Sequence, residues 1–326
     1  MSSNNMTQWN EVKRHMKNTT LTALALTLLL LSSATVIAST YHNQLQQINK
    51  STTQPEVLPN PTDTNTKQNT QVNIQQPKIE ETHYYNLDLQ TQLNTLSSGQ
   101  TLLLPAGTIH LNTTIYLKTP HTTIKGNNTT LILHSSTANM PLLHIKTPYT
   151  TISNISFENT APGLYTTSIK TTQHHTTIAN NTFTNSPIAI TLWADSNTIS
   201  YNHFSNHQDE AIAIISTTYT TSNHNTITYN TFDNTTDGVE LQKSNHNTIS
   251  HNVFTNTTHA ALDLIGEENN HNTISYNTIT NSTGYDIYIG PSSNNTLSNN
   301  TLTGTLLTKQ ATLTLEHNSI QTVKKL

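Results

Sequence analysis

Apolar and polar positions recur in one short pattern through the C-terminal half of the chain. The segments TIANNTF, TISYNHF, TITYNTF, TISHNVF, TISYNTI and TLSNNTL carry the aliphatic anchors Ile178, Ile199, Ile227, Ile249, Ile274 and Leu297. Three positions beyond each anchor stands an asparagine: Asn181, Asn202, Asn230, Asn252, Asn277 and Asn300. Successive asparagines are 21, 28, 22, 25 and 23 residues apart, and weaker copies occur at Ile124, Ile152 and Leu315 with Asn318. Self-similarity at such a period marks a stack of repeated units.

Each repeat holds a second run in which apolar residues alternate, as in Ile212-Ala213-Ile214, Val239-Glu240-Leu241, Leu262-Asp263-Leu264 and Ile287-Tyr288-Ile289. Period-two alternation predicts strands with one buried face. Short strands without a helix in each repeat of about 22 residues make one coil of a solenoid. The leucine spacing and helical back of a leucine-rich repeat are missing. The expected fold is therefore all-β, a right-handed parallel β-helix of about nine coils, on the order of 40 Å long at ~4.8 Å per coil. Stacked aliphatic anchors would fill its interior. The repeated asparagine is expected to accept a left-handed turn and to bond the asparagine of the next coil. Leu89, Leu93 and Leu96 share one face of a short predicted helix over residues 87–97, placed to cover the open edge of the first coil.

The pattern also divides the chain. Residues 1–18, with Lys13, Arg14, His15 and Lys17, form a basic cytoplasmic flank to an uncharged run from Leu21 to Ala38. Residues 19–38 thus predict a transmembrane signal-anchor or a signal peptide, with Val36-Ile37-Ala38 offering a small-residue cleavage pattern. Residues 39–82 are rich in Gln, Asn, Thr and Pro and read as a flexible polar linker. The β-helix domain is expected over 83–326, outside the cytoplasmic membrane.

Composition narrows the function. With 10% charged residues, a net charge of -4 and Arg14 as the one arginine, the chain cannot present a polybasic face, so no nucleic-acid partner is expected. It has no cysteine, which excludes disulfides and thiolate metal sites.

The run LQTQLNTLSSGQTLLLPAGTIHL followed by TTIKGNN resembles the opening coil of the pectate-lyase-like β-helix superfamily, and NTISYN with DGVELQKSNHNTISHN is similar to its NosD-like branch. The resemblance covers residues 87–320. It implies that GVELQ lies on the first strand of the coil and NTIS on the second, and that an active cleft would use the outer face of the first strand. The family's arginine-based catalytic signature has no counterpart here.

Of the 18 acidic residues, ten fall between 195 and 286. Glu240 and Asp263 occupy matched outward positions on successive coils, where two carboxylates repel unless protonated or bridged by a cation. Ca²⁺ is the cofactor that pair would take. Lys243, further along the strand of Glu240, is a candidate base toward an acidic sugar, with Glu240 and Asp263 completing a catalytic set. Asp209, Glu210, Asp237, Asp286 and Tyr288 are candidate ligand-binding residues. His224, His246 and His271 each stand three positions before an anchor, a column that could offer imidazoles to copper or zinc. The NosD-like resemblance implies copper handling for it. Asn112, Asn128, Asn234, Asn256 and Asn281 head sequons that an exported chain could glycosylate. The expected partner is a polysaccharide or cell-envelope glycan, bound without turnover, or, in the alternative, processed by a lyase or epimerase. Metal handling or a purely structural surface role are further alternatives.

Overall fold

The structure is a computed structural model and describes residues 86–326. The expected segments 1–18, 19–38 and 39–82 lie outside the described residues. Among those described, no helix is long and apolar enough to cross a membrane. The described chain is a parallel β-solenoid of about nine turns with one short helix at its N-terminal side.

Every strand pairing is parallel, and three stacks run the length of the solenoid. The first contains Pro141–Ile145, Thr167–Thr171, Ile188–Leu192, Ala260–Ile265 and Tyr285–Ile289, with the later halves of His203–Ile215 and Thr231–Gln242. The second holds the repeat anchors in Thr177–Ala179, Thr198–Ser200, Thr226–Thr228, Thr248–Ser250 and Thr273–Ser275. The third carries the aromatic position, as in Thr182–Thr184 and Val253–Thr255. Ile178, Ile199, Ile227, Ile249, Ile274 and Leu297 are all fully buried, as their period requires. Phe157, Phe183, Phe204, Phe232 and Phe254 form a parallel interior stack with centroid separations of 5.0, 5.1, 4.8 and 4.4 Å. Coil spacing and ring-stacking distance coincide, so one residue per coil builds a continuous aromatic column.

The asparagine ladder is present. The side-chain amide of Asn252 donates to Asn277 Oδ1 at 3.1 Å and to the Ile227 carbonyl at 2.9 Å, while its own Oδ1 accepts the Asn230 backbone N–H at 2.9 Å. The same triple linkage recurs from Asn181 to Asn300. One expectation is corrected. The left-handed backbone is taken by the residue before each ladder asparagine, at Asn180, Tyr201, Tyr229, His251, Tyr276 and Asn299. The ladder asparagine needs its N–H aimed along the stack, so the turn's positive φ falls one place earlier. There, exposed rings stack outside the coil, Tyr201 on Tyr229 at 5.1 Å and Tyr229 on His251 at 4.8 Å.

A second buried ladder runs through Asn197, Asn225, Asn247, Asn272 and Asn295. His224, His246 and His271 occupy the left-handed positions just before its members. Their exposed rings stack face to face at 5.0 and 4.9 Å with interplanar angles of 10° and 3°. In-line stacking turns ring faces, rather than nitrogens, toward one another, so the column does not converge on one metal position.

The helix spans Asn86–Thr95, close to the expected 87–97, and buries Leu89 and Leu93 over the first coil. Gln90 continues the ladder in place of a strand. Its Oε1 accepts the Tyr116 N–H at 2.7 Å and its Nε2 donates to the Tyr116 carbonyl at 3.0 Å. An edge that would otherwise recruit another strand is thereby satisfied.

Candidate functional site

Register places one outward position on every coil of the first stack. That column reads Tyr116, His144, Lys170, Thr191, Ala213, Glu240, Asp263 and Tyr288. Glu240 and Asp263 are thus direct partners on adjacent coils. They do not form a solvated acidic surface, since Glu240 is 7% and Asp263 1% exposed. Burying adjacent carboxylates is costly and is seldom found away from function.

The neighbouring residues explain how they are held. Glu210 and Asp237 are register partners three residues nearer the start of the strand. Glu210 and Glu240 sit on adjacent coils, close enough for their carboxyl groups to interact. Burial, followed by the charges of Glu210, Asp263 and Asp237, pushes Glu240 up to about 9. Burial and Asp209 push Glu210 up to about 7. Asp263 is raised to about 7 by burial and Asp237, with His259 opposing the shift. Glu240 therefore stays mostly protonated at neutral pH, while Glu210 and Asp263 sit near half-titration.

His259 completes the cluster. Its Nδ1 lies 2.8 Å from Asp237 Oδ1 and 3.7 Å from Asp263 Oδ2. Asp237 Oδ1 also accepts the Ala260 N–H at 2.9 Å. Toward an ionised Asp237 the imidazole must donate, which fixes Nδ1–H and leaves Nε2 as the free base. Burial works against a charged His259, but the bond to Asp237 and the fields of Asp237 and Asp263 outweigh it, so its pKa is raised. The side chain remains 52% exposed, so the ring is open to a ligand.

These three residues form a group whose ligand atoms all lie within 4.8 Å of one another. One buried oxygen, Asp263 Oδ1, has no hydrogen-bond partner. An imidazole nitrogen beside two carboxylates fits a borderline divalent ion such as zinc or manganese better than the Ca²⁺ expected from the carboxylates alone.

The other sequence candidates are distributed unevenly. Tyr288 is the register partner of Asp263 and joins the face. Asp209 lies near enough to Asp237 for their charges to raise its pKa, after burial as the main cause. Asp286 is buried and accepts the Gly304 N–H at 2.6 Å, a bond that ties it to the next coil instead of to the cluster. Lys243 sits at a left-handed turn just past the strand, where its exposed ammonium pairs with Glu268 at 3.8 Å. His259, which the sequence did not single out, takes the position facing the acids. Its one sequence signal is the spacing HAALD, four residues before Asp263.

Comparison with known proteins agrees with the architecture. The model for the right-handed β-helix region matches residues 107–271, and the chain belongs to that family. An alginate lyase from Paenibacillus sp. str. FPU-7 is similar at 13% identity and a TM-score of 0.58, over 72% of this chain and 94% of that one. The enzymatically active domain of tailspike protein 2 from bacteriophage CBA120 is similar at 11% identity and a TM-score of 0.59, over 75% of this chain and 44% of that one. A PL6 alginate lyase in complex with a trisaccharide gives 14% identity and a TM-score of 0.53, over 69% of this chain and 57% of that one. At these identities the likeness is one of fold. No curated protein sequence matches the chain.

Proposed function

We propose that the chain is an exported β-helix that acts on polysaccharide, with the outer face of the first strand stack as its sugar-binding surface and His259 as the proton-transfer group. The observation that carries the reading is the bond from His259 Nδ1 to Asp237 at 2.8 Å, beside the buried carboxyl groups of Glu240 and Asp263. Asp237 orients the ring, so Nε2 can take a proton from a bound sugar. A protonated Glu240 or Asp263 can donate a hydrogen bond to a uronate carboxylate, drawing off the charge that develops when the proton beside it is removed. With that proton on Nε2, cleavage of the neighbouring C4–O bond leaves its electron pair on the glycosidic oxygen, which takes a proton from the imidazolium or solvent, and this is elimination; protonation of the same carbanion by solvent on the opposite face is epimerisation. The solved structures of similar fold include alginate lyases and a tailspike enzyme, which supports a polysaccharide over a small-molecule substrate.

Binding without turnover is the second reading. It is favoured by the position of Lys243, whose ammonium is engaged with Glu268. Export through residues 19–38, display outside the membrane and glycosylation of the exposed sequon asparagines belong to the same proposal.

The test is incubation of the full-length chain with uronic-acid polysaccharides in D₂O. Unsaturated ends or deuterium at C5 mark turnover, and His259→Asn and Asp237→Asn should abolish both while leaving binding intact. Binding with neither signal selects the second reading, and absence of any glycan binding refutes both.

A further inference from the structure

The outward column that holds the acids begins, several coils earlier, with a basic and aromatic group. Tyr116, His144 and Lys170 are successive register partners. Just past these strands, Lys118 and Lys146 lie on neighbouring coils, linked by the bond from the Lys146 N–H to the Leu117 carbonyl. The ammonium groups of Lys146 and Lys118 stand 4.9 and 5.8 Å from the centroid of the Tyr116 ring. Lys170 places its ammonium 3.4 Å from the centroid of Trp193. Among the described residues no carboxylate pairs with any of the three lysines, although the chain has more acidic than basic side chains.

Such an arrangement is unfavourable unless something offsets it. Burial and Lys146 both lower the pKa of Lys170, and burial with the two lysines lowers His144 to about 4, so the imidazole is neutral at physiological pH. His144 Nε2 and Trp193 Nε1 are enclosed without hydrogen-bond partners. Aromatic faces and uncompensated ammonium groups together suit an anionic group on a ring-shaped ligand. Between Lys170 and Glu240 the column carries the small residues Thr191 and Ala213. These three steps of coil spacing amount to about 15 Å, the span of a few linked sugars.

We propose that Lys118, Lys146 and Lys170, with Tyr116 and Trp193, form a subsite for the carboxylate or sulfate groups of an acidic polysaccharide whose chain continues along the first stack to the His259 cluster. This rests on the polysaccharide reading above and adds the substrate's charge and the direction in which it lies. The basic end holds unreacting anionic units, and the far end of the stack receives the unit on which His259 acts.

The test measures affinity of the full-length chain for polygalacturonate, a sulfated galactan and an uncharged galactan at several salt concentrations. Lys118→Gln/Lys146→Gln alters two exposed side chains, and Lys170→Gln is added separately with its melting temperature checked. The expected result is at least a tenfold loss of affinity for an anionic chain and a weaker salt dependence, with the uncharged galactan unaffected. The polyuronate and the sulfated galactan together show which anion the site takes. Anionic binding indifferent to the lysines overturns the subsite alone. A wild-type chain that binds only the uncharged galactan overturns the subsite together with the uronate chemistry assigned to His259, and one that binds no glycan removes the polysaccharide reading itself.

Discussion

Glu240 and Asp263 are direct register partners on adjacent coils, and both are almost completely buried. Two carboxylates cannot both ionise in that position without raising the free energy of the fold. Proton occupancy and folding are therefore linked at this face.

The first prediction is a loss of stability on alkalinisation. Glu240, Glu210 and Asp263 have folded-state pKa values of about 9, 7 and 7, all above those of the unfolded chain. The native state thus binds more protons, and stability falls as pH rises toward 9. His259, also raised, adds to the fall. His144 and His207, lowered to about 4, act oppositely, but only below the ordinary histidine pKa of about 6.5. Between pH 6.5 and 9 the melting temperature should decline, and Glu240→Gln should flatten the slope. An equal slope in that variant would contradict the linkage.

Divalent metal should stabilise the fold through Asp237, His259 and Asp263. At ~100 times its dissociation constant, an ion that binds only the native state adds about 2.7 kcal/mol. Zinc or manganese should raise the melting temperature more than Ca²⁺, and Asp263→Asn should remove the response. Should no divalent ion shift the wild-type transition, the cluster is a proton site without metal.

Asn252→Ala should destabilise the protein by ~1–3 kcal/mol, because the Asn230 N–H groups and the Ile227 carbonyl lose their buried partner. Urea unfolding measures it. Neutral substitutions at both Asn230 and Asn252 would mean that the ladder contributes nothing.

Gln90→Ala should cost about 1 kcal/mol by freeing both backbone groups of Tyr116 at the edge of the first coil. It should also increase self-association, read by sedimentation against wild type. A monomeric variant of unchanged stability would show that Leu89 and Leu93 cover the edge unaided.

The solenoid was legible because an interior column demands the same residue type once per coil, and Ile178 to Leu297 repeat accordingly. The outward pairing of Glu240 with Asp263 followed from that register. Their burial did not, since period-two alternation identifies the outer face without showing what covers it. His259 escaped notice because its place in the coil has no periodic counterpart: the His259 N–H bonds Thr236 on one side, and Tyr285 bonds the His259 carbonyl on the other. Lys118, Lys146 and Lys170 lie where the repeat is weak, so their alignment emerges only from the pairing of the early coils. The left-handed turn was assigned one residue late because asparagine is the usual occupant of that conformation, whereas here Tyr201, Tyr229 and Tyr276 adopt it.

The two asparagine ladders also determine where this chain can change length. The 28-residue interval between Asn202 and Asn230 leaves the register of the anchors intact, with Ile199 still paired to Ile227. Its surplus is carried mainly in the turn between Ile215 and Thr226, whose Thr217, Thr220 and Thr221 line a groove shared with Lys243 and Glu268. Segments fastened above and below by amides admit no insertion, whereas the turn after the first stack admits several residues beside Lys243 and Glu268. Diversification of such a protein would therefore proceed by lengthening that turn, reshaping what the groove accepts while the scaffold stays the same.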